Sequence, residues 1–325
     1  MRKLFAALAL SLAGTLSAQA QSSPPAELNF GLISTEASQN LRQDWQFIFQ
    51  DMQKRLGIKV NGFFASDYAG VIEAMRFGKV QVAWFGNKSA MEAVDRASAE
   101  IFAQQVAEDG SPGYWSYLFA HRDSPYNSLE DVKKNARNIA LGFGDSNSTS
   151  GFLVPGYYAM AMHNLDPKTS FKVMRQANHE ANMLAVIARQ VDVATGNNES
   201  FERFERRSPD KARELKIIWK SPLIPSDPMV VRKDLDPQLK AKVRDFFLGY
   251  GKTDAEKQTL RKIGIAGFQP SDNNQLLPIR QLELFRTKLA VEKDEKLPAA
   301  ERQAKLDEIN RKLSELNTQM ASLKR

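Results

Sequence analysis

Ile139-Ala140-Leu141-Gly142-Phe143 runs into Gly144-Asp145-Ser146-Asn147-Ser148-Thr149-Ser150-Gly151, and from there into Phe152-Leu153-Val154-Pro155. A short apolar run bounded by glycine reads as a strand, and residues 151–163 read as a helix, so the polar octet is a strand-to-helix turn. A helix start leaves N–H groups without intrahelical partners and carries partial positive charge. Three adjacent hydroxyls there suit a tetrahedral oxyanion such as phosphate or phosphonate, with no lysine required. The same residue types are the preferred helix caps, so the octet alone leaves both readings open.

Upstream, apolar runs over 28–33, 58–64 and 80–85 alternate with helix-like spacing over 40–56 and 68–77, closed by Gly57 and Gly78. This β-α-β-α-β run predicts a parallel sheet covered by helices, with any ligand at the carboxyl ends of the strands. The loops at that rim are Ser34-Thr35-Glu36, the stretch from Ala65 through Asp67 and Tyr68 to Gly70, and Gly86-Asn87-Lys88-Ser89. Strands over 101–107 and 114–121 flank a turn at 108–113. After the octet the pattern restarts, with strands over 171–174, 191–195 and 215–219 separated by helices over 180–189 and 200–207. The segment from Ser221 to Pro228 holds three prolines, so it is extended and stiff and suits a return crossing between two lobes.

These units divide the α/β chain into lobe 1, residues 27–112 and 224–290, and lobe 2, residues 113–223. After 229–231 the pattern is mostly helical. In the tail, 293–325, Leu306, Ile309, Leu313, Leu316, Met320 and Leu323 recur three and four apart. That spacing is an a/d seam on an amphipathic helix, which either packs on its own chain or pairs with a second copy. Because the other faces are polar and the segment ends the chain, the seam favours a homodimer.

Residues 1–20 read as a cleavable export signal: Arg2 and Lys3, an apolar core over 4–16, then Ala18-Gln19-Ala20. The apolar core is too short to cross a bilayer. The net charge of +7 falls to +5 without Arg2 and Lys3, and both signs are mixed throughout, which gives a nucleic-acid partner no support. With no cysteine, disulfides, thiolate metal sites and a lipid anchor on cysteine are excluded. No metal-ligand cluster is visible, and no cofactor is implied. The expected location is the periplasm.

Two lobes imply a cleft that closes on a ligand. Tyr68 and Tyr114 lie in loops or at strand ends, Glu199 follows a strand, and Asp227 sits in the second crossing. If both carboxylates face the cleft, a bare phosphate would leave them buried and unpaired, at a cost of several kcal/mol. A zwitterion with an anionic head and an ammonium tail would pair them, with the tyrosines supplying hydroxyls or a cation-facing ring. The competing reading makes Glu199 a helix cap and Asp227 a brace.

Several blocks, among them 29–36, Asp67-Tyr68-Ala69-Gly70, 109–116, 147–158 and 219–225, resemble the binding proteins of phosphonate ABC importers, and the resemblance covers essentially the whole mature chain. It implies a two-lobed periplasmic binding protein of type II that binds 2-aminoethylphosphonate and delivers it to an inner-membrane permease and its ATPase. Carried over by matching motif, Ser148, Thr149, Ser150 and His179 would hold the phosphonate, and Tyr68, Tyr114, Glu199 and Asp227 the amine. Ser226 stands where the family pattern has glycine and Phe85 where it has tyrosine, which leaves the ranking of phosphonates open. The reading from another class is a periplasmic hydrolase with a Ser148, Thr149 or Ser150 nucleophile, His179 as base and Asp227 as orienter. No Gly-x-Ser-x-Gly elbow surrounds those hydroxyls, so the chain is expected not to be an enzyme.

Overall fold

The computed structural model describes residues 27–323; the expected export signal lies outside them. In chain order, β1 (Glu27–Leu32), β2 (Lys59–Phe64), β3 (Val82–Trp84) and β4 (Ala99–Ala107) lay down one sheet, and β5 (Gly113–Tyr114) crosses from it. A second sheet is built from β6 (Ser116–His121), β7 (Ala140–Phe143), β8 (Val173–Gln176), β9 (Val193–Asn197) and β10 (Leu215–Lys220). The return crossing is β11 (Ile224–Pro225), and β12 (Pro228–Arg232) and β13 (Ile265–Pro270) complete the first sheet. The strand orders are β13-β4-β12-β3-β1-β2 and β10-β6-β9-β7-β8, with β5 and β11 paired as a two-stranded link. This is the two-lobed α/β architecture expected from the sequence.

Neither sheet is purely parallel. β1 runs parallel to β2 and β3, but β12 lies antiparallel to β3 and β4, and β13 antiparallel to β4. The second sheet is also mixed, with β6 antiparallel to β9 and β10. Strands that enter a sheet across the lobe link arrive in the opposite sense, and hydrophobic periodicity carries no information about direction. β13 was not expected at all in the helical part of the chain. Ala266-Gly267 interrupts its alternation, and it sits at the sheet edge, where the closing Pro270 lacks an N–H without breaking a ladder.

The helix Ser38–Leu56 buries Leu41, Trp45, Ile48, Met52 and Leu56 against the first sheet and ends on Gly57 in left-handed backbone, with φ +69°. Phe30, Trp45 and Phe247 anchor that core, and two smaller clusters cover the faces of the second sheet.

The tail packs along its own chain, one of the two arrangements the seam allows. Helix Ala299–Ser322 folds back antiparallel on Leu277–Glu292, burying Ile309 and Leu313, with Gln281 donating to Asn317 at 2.7 Å and Lys288 to Asn310 at 2.8 Å. The middle of the apolar stripe is therefore covered inside one chain, while Leu323 at its end is exposed. Leu313→Ala is expected to cost about 2 kcal/mol or more, read as a lowered Tm.

Candidate functional site

The octet forms a closed cup. Gly144 N–H donates to the Gly151 carbonyl at 2.9 Å, and a Cβ on Gly144 would stand 2.5 Å from Gly151 backbone atoms, so the two ends can clasp only as glycines. Ser148 caps the helix by accepting from Gly151 N–H at 2.9 Å. The octet's late carbonyls face the sheet: Ser116 Oγ donates to Ser150 O at 2.6 Å and Thr195 Oγ1 to Gly151 O at 2.7 Å. The helical segment leaving the cup is wound more widely than the α-helix expected over 151–163. Leu153 N–H donates to Ser148 O at 3.1 Å, an i−5 bond, and residues Thr149–Leu153 and Gly156–Met160 are π-helical turns. Such turns recur at functional sites.

The structure brings all eight sequence-derived site residues to one small cavity between the lobes. Ser148, Thr149, Ser150, His179 and Glu199 come from lobe 2, Tyr68 from lobe 1, and Tyr114 and Asp227 from the two crossings. The cavity adds residues that sequence reasoning left out of the site: Thr35, Trp84, Gly86, Asn197, Ser200 and Arg203. Thr35 and Gly86 stand in loops already marked as strand ends, and Asn197 closes β9. Trp84 ends β3, so the same rule could have found it. Arg203 lies four residues after Glu199 on one helix, and that spacing was its only signal. Phe85 and Ser226 do not line the cavity; Phe85 is buried in the lobe 1 core, and the Ser226 carbonyl accepts from Gln275 Nε2 at 3.2 Å.

Bonds between the lobes surround the cavity. Lys88 N–H donates to Thr149 Oγ1 at 2.8 Å, past Gly86, whose added Cβ would meet that oxygen at 3.2 Å. Tyr68 N–H donates to Asp145 Oδ2 at 3.2 Å, and Glu180 accepts from Ala37 N–H and Asn40 Nδ2 at 2.8 and 2.9 Å.

Within this closed space, four buried polar atoms have no hydrogen-bond partner among the described residues: Thr35 Oγ1, Trp84 Nε1, His179 Nδ1 and Asp227 Oδ1. All four residues line the cavity. Buried polar atoms are nearly always paired, so four orphans in one place call for a polar ligand.

Titration separates the two ends. Burial holds His179 down at about 3, so the ring is neutral. Asn197 Nδ2, which also donates to Ser150 Oγ at 2.9 Å, lies 3.3 Å from His179 Nε2. That contact makes Nε2 the acceptor and leaves the proton on the unpartnered Nδ1. Burial pushes Glu199 up to about 7, with Arg203 opposing and Glu202 adding. Asp227 is held well above the carboxylate range by burial and then by Glu199, with Tyr114 and Arg203 opposing in part. Burial also raises Tyr68 and Tyr114, which stay protonated.

A carboxyl group raised by folding favours the fold below its unfolded value and opposes it as pH rises through the folded one. Ligand-free wild type is therefore expected to lose Tm relative to Glu199→Gln between about pH 5 and about pH 8. A melting series in both proteins checks this, and a gap that stays constant across the range counts against it.

The hydrolase arrangement is not assembled. Among the described residues none of the three hydroxyls hydrogen-bonds to His179, and His179 does not bond to Asp227. A nucleophile-base-orienter chain requires both links.

Residues 30–276 match the model of a family described as ABC transporter, phosphonate, periplasmic substrate-binding protein. The chain is similar to the phosphonates-binding periplasmic protein of Escherichia coli strain K12, with 53% identity over 290 residues, 89% of this chain and 86% of that one. A solved binding protein component of an ABC phosphonate transporter from Pseudomonas aeruginosa superimposes with a TM-score of 0.91 at 52% identity, covering 94% of this chain and 100% of that one. A protein from Prochlorococcus marinus, solved with methylphosphonate, shares the fold at a TM-score of 0.72 and 21% identity, over 80% of this chain and 98% of its own.

Proposed function

Because the chain belongs to the family of periplasmic substrate-binding proteins of phosphonate ABC transporters, we propose that its ligand is 2-aminoethylphosphonate, held by closure of the two lobes. The observation that carries this reading is the pairing, in one cavity, of a hydroxyl-rich helix start with two carboxyl groups, Asp227 buried and Glu199 half-buried. The phosphonate is taken by Ser148, Thr149, Ser150 and the N–H groups of their turn, with His179 Nδ1–H as a neutral donor. The ammonium lies against Glu199 and Asp227, ionises them, and is flanked by Tyr68 and Tyr114. Related alkylphosphonates without the amine use the same anion end but leave the carboxyl groups protonated.

The bound protein is then presented to an inner-membrane permease and its ATPase, and the chain reaches the periplasm through cleavage after Ala20. Pairing of two copies, as part of this reading, would use the outer faces of the C-terminal hairpin, and light scattering of the whole protein gives the mass that decides it.

Calorimetric titration with 2-aminoethylphosphonate is expected to show one site per chain, with Trp84 emission changing on binding. Phosphorus NMR is expected to recover the ligand unchanged; appearance of inorganic phosphate would sink the receptor reading.

A further inference from the structure

Helix Asn198–Arg207 carries Glu199 and Arg203 four residues apart, with the acid first. That is the favoured order and spacing for an ion pair along one helix face. The pair is not made. Arg203 Nε donates instead to Glu36 Oε1 at 2.8 Å, and Nη2 donates to Ser200 Oγ at 3.2 Å. Glu199 has no ion-pair partner within 4.0 Å among the described residues.

Glu36 belongs to the other lobe, in the loop after β1 and next to cavity-lining Thr35. One turn further along the helix, Arg207 also reaches Glu36 and pairs with Asp44 at 2.9 Å. Glu36 is 2% exposed and Arg203 6%, so water and salt do little to loosen this contact. Arg203 is also the one cation among the residues lining the cavity.

We propose that Glu36 is a specificity-determining residue: by drawing Arg203 across the cleft it leaves the Glu199 carboxylate free for the ammonium of the ligand. When the lobes part, Arg203 returns to its helical neighbour and occupies the amine end. The inference rests on the zwitterion reading of the site. Its physical content is competition between two cations for one carboxylate. A guanidinium that has lost Glu36 keeps its charge, because arginine does not deprotonate in proteins, and Glu199 is the acid one turn away on the same face of its helix. The ligand ammonium then has to displace it. A phosphonate without an amine does not meet that competition, although both ligands lose the bond that Glu36 makes between the lobes.

The test titrates wild type, Glu36→Gln and the double variant Glu36→Gln/Arg203→Gln with 2-aminoethylphosphonate and with methylphosphonate. In Glu36→Gln the preference for the amino compound is expected to fall about tenfold, and removing the competing guanidinium in the double variant should restore most of it. Retained methylphosphonate binding shows that each variant is folded. Equal losses on both ligands in Glu36→Gln, or a preference not restored in the double variant, overturn the assignment. A wild type that shows no preference for the amino compound removes the zwitterion reading itself, and the assignment with it.

Discussion

The double variant Glu199→Gln/Asp227→Asn is expected to bind 2-aminoethylphosphonate about a hundredfold to a thousandfold more weakly than wild type, because removing one side of a buried charge pair costs about 2–5 kcal/mol. Methylphosphonate should lose little, since without an ammonium the two carboxyl groups bind it in their protonated form. The contrast between ligands separates lost charge pairing from general damage to the site, so both are titrated on both proteins. Equal losses would refute a separate amine end. The pH dependence has a definite sign. With Glu199 standing at about 7 in the empty site, the amino ligand must displace a proton below that pH, so its affinity rises as pH increases toward and past 7. Heats measured in buffers of different ionisation enthalpy should report proton release on binding the amino compound near pH 6.

His179→Leu is expected to lower the affinity for both ligands by about tenfold to a hundredfold. The lost interaction is a hydrogen bond to an ionised group in a buried site, typically about 1.5–3 kcal/mol. Leucine occupies comparable space, so the loss measures the donor more than the packing. Wild-type affinity for methylphosphonate should show no histidine step near pH 6.5, because burial keeps the ring neutral down to about 3. A step there that is present in wild type and absent in His179→Leu, and so not due to Glu199 or to the phosphonate itself, would mean that an imidazolium holds the anion. In that case the donor assigned to Nδ1 is wrong.

Much of the fold was legible because periodicity records burial. The apolar faces of residues 38–56 and 68–76 and the runs at 28–33 and 80–85 could be read directly, and alternation placed two lobes. Strand direction was not legible, since a buried strand has the same composition whichever way it runs. The C-terminal seam shows the complementary gap: spacing of Leu306 to Leu323 declares that a stripe is covered, and only the folded chain identifies the covering helix as Leu277–Glu292. At the site, loops after strands drew Tyr68, Ser148 and Glu199 to attention, and the structure gathers them. Trp84 and Arg203 were missed because one looks like core and the other like a solvated face. The π-helical turns after Ser148 leave no mark in a string of hydroxyls that would cap an ordinary helix equally well.

The clasp between Gly144 and Gly151 separates two kinds of change open to this protein. The cup is made of eight consecutive residues, braced from outside by Ser116, Thr195 and Lys88, so its own chain alters as a unit and a lengthened or shortened loop removes it outright. The opposite end is collected from Tyr68, Tyr114, Glu199 and Asp227, which are scattered along the chain and can be exchanged singly. A lineage, or a laboratory selection, can therefore move among phosphonates with different tails by point substitution while the headgroup stays constant. Sensors for other phosphonates are best sought by varying those four positions and leaving the octet untouched.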